Sequence, residues 1–322
     1  MTDASARALW AVTAFFNPTN SPRLNANLRL FAERLRAQGV PLLVVELAFH
    51  TSPFRVAEGL ADRVVQLRTR TVLWHKERLL NLGIARLPRE CRYVAWLDGD
   101  VLFENENWVA ETVRRLEDHA VVQPYDAACW LDEGRTTAPD DVPNGFADGH
   151  QLVGFAAGLE RAPNRERALA YFTRHGHTGF AWAAQLDVIE RHGLYDRAIV
   201  GGGDMICAHA FAADDAFMCG DNLYSRALTR AERECIAAWG SGVAAATGGR
   251  IGWTPGRVLH LFHGAIAQRG YAARLKILKD AAFDPLQDIA ADAQGCWQWS
   301  SDKPELHRQV SGYFESRVRV SA

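Results

Sequence analysis

The sequence predicts an α/β protein with a central, mostly parallel sheet that is flanked by helices. Two nearly unbroken apolar runs, 42–49 and 93–97, are typical of strands that are buried on both faces of such a sheet. Amphipathic stretches alternate with the apolar runs, and the first of them places Leu and Phe on one helical face between residues 24 and 35. Strands and helices that alternate at this spacing indicate parallel strands joined by right-handed crossovers.

The two halves of the chain differ in pattern. The first half alternates regularly, whereas residues 127 to about 160 are rich in Asp, Gly and Pro and predict a long surface loop. The predicted strands lie at 8–16, 42–49, 64–67, 93–97, 120–124, 178–184 and 257–262. The predicted helices lie at about 24–39, 73–87, 108–116, 186–192, 201–211, 227–239 and 271–279.

Length, charge and cysteine usage bound the class of protein. A chain of 322 residues is long enough for one large α/β domain with an appendage. Its formal net charge of -2 gives no global attraction to nucleic acid or to an anionic membrane. The six cysteines form no Cys-x-x-Cys pair, which is typical of a reducing compartment. No apolar run approaches the roughly 18 residues of a membrane span, so we expect a cytoplasmic protein without one.

The segment Asp98-Gly99-Asp100 follows the apolar run 93–97 directly. Because unpaired buried charge is costly, the strand is expected to end near residue 97 and to leave both carboxylates at the C-terminal edge of the sheet. Ligands bind at that edge in open α/β sheets, and paired carboxylates suit magnesium or manganese. Gly99 lets the backbone bend and a ligand approach. The alternative is an acidic turn without a ligand.

The order of motifs along the chain resembles that of glycosyltransferases of the GT-A fold, the Rossmann-like fold of nucleotide-diphospho-sugar transferases. The motifs are Asp98-Gly99-Asp100, the Gly-Phe-Ala-Trp strand at 179–182, the Gly-Gly-Gly-Asp helix start at 201–204 and a late histidine. The likeness is to galactosyltransferase-like and polypeptide N-acetylgalactosaminyltransferase-like members.

The resemblance also implies a domain organisation. Residues 1–270 would form a single GT-A domain, with a nucleotide-binding half at 1–126 and an acceptor-binding and catalytic half at 127–270. Residues 271–322 would form a C-terminal helical extension that packs on this domain.

In that family the Asp-x-Asp motif holds a divalent metal, usually manganese, on the diphosphate of the donor. The resemblance therefore implies a cofactor, Mn2+ or Mg2+, with Asp100 as a direct ligand and Asp98 as the metal-site residue that also reaches the ribose. A late histidine completes the site, and His263 fits better than His260. Residues three apart in a strand face opposite ways, so only one of the two is expected to reach the metal.

The segment at 201–204 resembles the family's Gly-Gly-Glu/Asp segment, which lies under the donor sugar and the acceptor. Gly202 and Gly203 would allow a sugar to approach, and Asp204 would accept a proton from a hydroxyl. The sequence departs from the commoner form because no acidic residue follows Asp204. The alternative is that Asp204 is the N-cap of the following helix.

Further donor-site candidates come from the same resemblance. Trp182, after Gly179, would stack on a sugar ring, although a tryptophan in a strand also suits a core. Polar residues on the helix at about 73–87 would lie near the nucleotide base, or else form an exposed helix face. The candidates on this helix are Lys76, Glu77 and Asn81. Asn17 and His177, elsewhere in the chain, are weaker candidates for the donor site.

The predicted function is metal-dependent transfer of a sugar from a nucleotide-sugar donor, UDP-sugar in the first instance, to a hydroxyl. Two other classes stay open, a nucleotidyltransferase and a non-catalytic nucleotide- or carbohydrate-binding module. The acceptor is a lipid-linked sugar, a protein, a small glycan or a hydroxylated DNA base, and nucleic acid therefore stays among the partners. The sequence does not choose the donor sugar, the oligomeric state, or between inversion and retention.

Overall fold

The computed structural model describes residues 8–214, 223–266 and 271–316. Its strands are β1 Leu9–Phe16, β2 Leu42–Phe49, β3 Arg63–Thr69, β4 Tyr93–Leu97, β5 Val101–Phe103, β6 Val121–Gln123, β7 Ala127–Trp130, β8 Gln151–Val153, β9 Ala181–Gln185, β10 Ile251–Trp253, β11 Arg257–His260, β12 Ile289–Ala291 and β13 Trp297–Trp299. Its helices are α1 Pro22–Ala37, α2 Lys76–Ile84, α3 Trp108–Arg115, α4 Phe155–Arg161, α5 Arg165–Leu169, α6 Phe172–His175, α7 Leu186–His192, α8 Gly203–Phe211, α9 Leu223–Ala227, α10 Arg230–Thr247, α11 Tyr271–Asp280 and α12 Pro304–Ser316.

The predicted α/β class with a mostly parallel central sheet is confirmed. Within the described residues this sheet has the strand order β10-β6-β9-β4-β1-β2-β3. The pairs β1–β2, β1–β4, β2–β3 and β6–β10 are parallel, and β9 is inserted antiparallel between β4 and β6. The C-terminal ends of β1, β2, β3 and β4 therefore lie along one edge, and Asp98 follows β4 at that edge.

Helices cover both faces of the central sheet. Alternate residues of β1 enter different cores, since Ala11 packs with the α1 side and Val12 packs with the α2 side. Gly83 lets α2 approach the sheet closely, because a Cβ there would lie 2.6 Å from a methyl carbon of Val45. Such tight packing holds α2 firmly against the sheet.

The segment from 127 to about 160, expected to be a long loop, contains regular structure. It holds β7, β8 and α4, and a second sheet has the order β5-β11-β7-β8. The strands of this sheet are three or four residues long, too short for periodicity to show. One of the two partners of β7 is β11, more than a hundred residues away in sequence, so local pattern could not reveal that pairing. Only the connection at 131–150 lacks a helix or strand among these residues.

The described part of the C-terminal segment is not entirely helical. An antiparallel hairpin, β12–β13, lies between α11 and α12. The ring of Trp297 lies 4.4 Å from the guanidinium of Arg78 and 4.6 Å from that of Arg197, and its indole N–H donates to the carbonyl of Asp196 at 2.7 Å. These contacts attach the segment to α2 and to the loop before α8.

None of the helices in the described ranges combines the length and apolar character needed to cross a bilayer.

Candidate active site

The chain passes from one sheet to the other at residues 98–100. The backbone N–H of Asp98 donates to the carbonyl of Phe180 at 2.8 Å, which continues the pairing of β4 with β9 by one residue. Strand β5 of the second sheet begins at Val101. Asp98 therefore belongs to the edge of the central sheet, whereas Asp100 lies at the start of the second one.

Packing within the protein itself favours glycine at position 99. A Cβ at this position would lie 3.1 Å from a methyl carbon of Leu28 and 3.3 Å from the hydroxyl oxygen of Thr13. The close approach that the sequence suggested for a ligand is made here by side chains of α1 and β1. Gly99 thereby keeps the two aspartates close to the sheet.

Asp100, His260 and His263 form a cluster whose possible ligand atoms all lie within 4.8 Å of one another. We call these three residues the metal-type cluster. The Oδ2 atom of Asp100 lies 3.7 Å from Nε2 of His260 and 3.4 Å from Nε2 of His263. The antiparallel pairing of β5 with β11 sets Val101 opposite His260, and the N–H of Leu261 donates to the carbonyl of Asp100 at 2.8 Å. The site is thus formed by backbone pairing within the second sheet.

Both histidines lie beside Asp100, whereas strand alternation led us to expect only one. The reason is that β11 ends at His260, so the alternation of faces no longer governs residue 263. The ring of His260 is buried and stacks on Phe180, with centroids 4.7 Å apart and an interplanar angle of 14°. His263 keeps 15% of its side chain exposed.

The donor set of this cluster fits a divalent metal. One carboxylate oxygen and two imidazole nitrogens suit Mn2+ better than Mg2+, which prefers oxygen ligands throughout. Asp98, which the resemblance included among the metal ligands, is not a member of the metal-type cluster. Its Oδ1 atom lies 2.5 Å from Nζ of Lys76 instead.

Lys76, at the first position of α2, bridges two carboxylates. Its Nζ atom lies 2.5 Å from Oδ1 of Asp98 and 2.8 Å from Oδ1 of Asp204. We call these three residues the lysine network. Lys76 is 8% exposed. Burial acts to lower the pKa of Lys76, but the carboxylates of Asp204 and Asp98 outweigh burial and hold that pKa well above its usual value. The side chain is therefore a buried ammonium.

Glu77, the next residue of α2, is buried rather than on an exposed helix face. It is 4% exposed, and burial, reinforced by the carboxylate of Asp204, raises its pKa to about 8. A Cβ at Gly203 would lie 2.5 Å from the carboxyl carbon of Glu77. Glycine at 203 therefore leaves room for the buried carboxyl of Glu77 at the start of α8.

Asp204 does not cap α8. The N-cap is Gly202, whose φ of 101° is in the left-handed region, and Asp204 lies in the first turn. Its Oδ1 atom accepts from Lys76. Its Oδ2 atom faces Gly179, where a Cβ would lie 3.2 Å from that oxygen. The absence of a side chain at 179 thus leaves room for the Asp204 carboxylate.

The structure does not bring all the predicted donor-site residues to this place. Trp182 is 2% exposed, packs between Phe155 and Phe211, and donates its indole N–H to the carbonyl of Thr178 at 2.8 Å. This is a core position, because its face of β9 is covered by α4 and α8, so a sugar cannot stack on the ring. We therefore leave Trp182 out of the donor site.

Two further candidates have structural partners. The amide of Asn81 donates to the carbonyl of Leu194 at 2.9 Å and accepts from its N–H at 2.8 Å, which ties α2 to the loop before α8. The side chain of Asn17 accepts from the N–H of Ser21 at 2.9 Å and donates to its carbonyl at 2.8 Å, which closes the turn between β1 and α1.

His177 lies near the site although it belongs to neither group. Its ring is 4.2 Å from that of Phe180, which separates it from His260. The hydroxyl of Tyr125 lies 3.3 Å from Nδ1 of His177 and donates to the carbonyl of Gly179 at 2.6 Å. Sequence reasoning missed the supporting roles of Tyr125 and Phe180, and no local signal marks them.

No protein-family model matches the chain, and no curated protein matches it either. The chain does resemble solved structures. S. aureus TarS in complex with UDP-GlcNAc has a TM-score of 0.40 and 8% identity, over 97% of this chain and 73% of that one. The 4-diphosphocytidyl-2C-methyl-D-erythritol synthase from Anaerococcus prevotii has a TM-score of 0.36 and 9% identity, over 79% of this chain and 90% of that one.

A mutant of Drosophila beta1,4-galactosyltransferase 7 with manganese, UDP-Gal and xylobiose has a TM-score of 0.33 and 12% identity, over 76% of this chain and 64% of that one. A galactosyltransferase, the class of enzyme that the motif order resembles, is therefore among the structures similar to this chain. At these identities and TM-scores the similarities assign neither a family nor an activity to the chain.

Proposed function

We propose that the protein is a metal-dependent glycosyltransferase that moves a sugar from a nucleotide-sugar donor, a UDP-sugar, to a hydroxyl acceptor. The observation that carries the proposal is the placement of two groups of side chains. The metal-type cluster and the lysine network meet at Asp98-Gly99-Asp100, where one sheet passes into the other. A metal-dependent transferase that inverts the anomeric centre uses both a cation for the diphosphate and a carboxylate for the incoming hydroxyl.

The metal-type cluster would hold the cation through Asp100, His260 and His263. When bound, a divalent cation neutralises charge on a diphosphate leaving group and orients it. Of the two cations that the resemblance implies, Mn2+ rather than Mg2+ is the proposed cofactor, because imidazole nitrogens provide two of the three protein ligands. Three protein ligands also leave coordination positions for donor oxygens.

Asp204 would act as the general base. The acceptor oxygen forms a bond to the anomeric carbon of the sugar while the bond from that carbon to the diphosphate oxygen breaks. The hydroxyl proton passes to Oδ2 of Asp204, since Oδ1 accepts from Lys76. Attack on the face opposite the leaving group would invert the anomeric centre. Gly202, two residues before Asp204, is the position at which a sugar would approach the backbone, since the space beside Gly179 holds the Asp204 carboxylate.

The proposed location is the cytoplasm. The cysteines that the structure describes are free thiols, four of them buried. Such thiols are typical of a reducing compartment. The panel of acceptors to be tested consists of glycans, proteins, lipid-linked sugars and hydroxylated DNA bases.

The test is UDP release by the purified protein from a panel of UDP-sugars, with and without acceptors, in Mn2+ and after EDTA. We expect release that needs the metal, is lost in EDTA and is lost in Asp100→Ala. Full turnover in a metal-stripped sample would overturn the proposal. Formation of pyrophosphate from a nucleoside triphosphate and a sugar phosphate would instead identify a nucleotidyltransferase. Donor binding without turnover on any acceptor would identify a binding module.

A further inference from the structure

Lys76 connects two parts of the site that lie far apart in the sequence. It contacts Asp98 at the end of β4 and Asp204 in the first turn of α8, 128 residues away. Both contacts are made by one nitrogen atom, at 2.5 and 2.8 Å. The lysine itself is anchored at the start of α2, which packs tightly on the sheet through Gly83.

The surroundings of Lys76 direct its ammonium towards the two aspartates. The side chain is almost fully buried, so water does not compete for the ammonium. Its neighbour Glu77 packs under Gly203, and no hydrogen-bond partner for its buried Oε1 atom is found among the described residues. A protonated lysine has no lone pair to offer, so it acts by donating hydrogen bonds and not as a nucleophile.

The contact with Lys76 makes the two oxygens of Asp204 different. Oδ1 accepts from the ammonium, whereas Oδ2 lies against Gly179 on the other side of the carboxylate. A carboxylate that is held by one oxygen in this way has a defined plane. Lys76 therefore determines which oxygen of Asp204 remains available to a substrate hydroxyl.

We propose that Lys76 is a positioning residue for the transfer reaction. It fixes the carboxylate plane of Asp204 so that Oδ2 receives the acceptor proton, and it ties Asp204 through Asp98 to the strand end that leads to the metal ligand Asp100. This inference rests on the proposed function. This role differs from the one that the family resemblance suggested for Lys76, which was a position near the nucleotide base.

The test is a double-mutant cycle of Lys76→Met and Asp204→Asn, with kcat for transfer, donor KM and Mn2+ affinity measured for each variant. Loss of positioning should lower kcat by about 10²-fold in Lys76→Met, because small displacements of a reacting group have effects of that size. Donor KM and Mn2+ affinity should stay within about threefold, well below the loss expected in kcat. In the Asp204→Asn background, Lys76→Met should have almost no further effect on kcat, since Lys76 acts through Asp204.

Multiplicative losses in the cycle, or a normal kcat in Lys76→Met, would overturn the inference. Where Lys76→Met does not fold, Lys76→Arg decides, because a guanidinium keeps the charge but places its N–H groups differently. A fall in kcat with unchanged Mn2+ affinity supports positioning, and a normal kcat in Lys76→Arg rejects it.

A control is Lys303→Met, which removes a lysine–aspartate ion pair of the same length, 2.8 Å, between the partly exposed Lys303 and the buried Asp288 in the C-terminal segment. We expect this control to lower Tm and to leave kcat unchanged; a similar loss of kcat there would point to a general loss of stability and would reject positioning. A wild-type protein without metal-dependent turnover on any donor would refute the proposed function itself, before any variant is compared.

Discussion

Asp98 and Asp100 are separated by one glycine, yet their carboxylates have different partners. Asp100 faces two imidazoles in the metal-type cluster, whereas Asp98 contacts the ammonium of Lys76. The lysine network therefore contains its own cation, while the metal-type cluster consists of groups that bind a metal when the histidines are neutral. The comparison teaches that an Asp-x-Asp motif can serve two neighbouring sites, because the chain changes sheets between its two aspartates.

The largest effect that would test this division is expected for Asp100→Asn compared with Asp98→Asn. Loss of a direct ligand should weaken Mn2+ binding by about 10²-fold or more in the Asp100 variant, since even the outer partners of a metal site are worth about 10- to 100-fold. Asp98→Asn should change Mn2+ affinity far less, because that carboxylate contacts Lys76. Titration of both purified variants with Mn2+ measures the difference. Equal losses would mean that both aspartates bind the same ion.

The next effect concerns the lysine network. Asp204→Asn removes the proposed base but keeps the size of the side chain, so kcat for transfer should fall by about 10²- to 10⁴-fold. Donor and Mn2+ binding should be retained, since Asp204 is not part of the metal-type cluster. Initial rates, donor titration and thermal melting on one preparation give all three quantities. Near-normal turnover would reject the base and favour a retaining mechanism.

A smaller effect separates the two histidines. Both lie near Asp100, so His260→Ala and His263→Ala should each weaken Mn2+ binding by about 10- to 100-fold. Only His260→Ala should also lower Tm clearly, because His260 is buried and stacks on Phe180, whereas His263 is partly exposed. Mn2+ titration and melting of the metal-free proteins measure both. A normal Mn2+ affinity in either variant would remove that residue from the cluster.

The sequence predicted features whose cause is local. The end of β4 before Asp98 follows from an apolar run that stops at two carboxylates, and the start of α8 at Gly203 follows from the run of glycines at 201–203. The contact of Lys76 with Asp204 could not be predicted, because the two residues lie 128 positions apart in the sequence. Likewise, residue type alone does not tell whether Trp182 lies in the core or stacks on a sugar. Only the packing of α4 and α8 on β9 decides between these two positions.

The second sheet shows the same limit. Its three- and four-residue strands carry no period, and the pairing of β5 with β11 is what brings His260 to Asp100. Residue type and order predicted that Asp100 and a late histidine lie together, but they also placed Asp98 with them, which contacts Lys76 instead. The inclusion of both histidines was not predictable, because it depends on where β11 ends.

The last effect that we predict is a dependence of stability on pH through Glu77. Burial raises the pKa of Glu77 from 4.5 to about 8, so the folded protein keeps a proton that the unfolded chain releases. The folded state binds more protons between these two values, and the free energy of unfolding should therefore fall as pH rises from 4.5 towards 8. Glu77→Gln keeps a neutral side chain of the same size at every pH and should remove this part of the slope.

Glu232 provides a matched comparison away from the site. Burial raises its pKa to about 7, and it belongs to the capping box at the start of α10, where Gln also serves. The Tm difference between the wild type and Glu232→Gln should therefore stop growing near pH 7, whereas the difference for Glu77→Gln should keep growing to about pH 8. Melting curves across this range measure both differences. Parallel curves of Tm against pH for the wild type and Glu77→Gln would show that Glu77 is already ionised beside Lys76. The ammonium of Lys76 would then be shared among three carboxylates, and its interaction with Asp204 would be weaker.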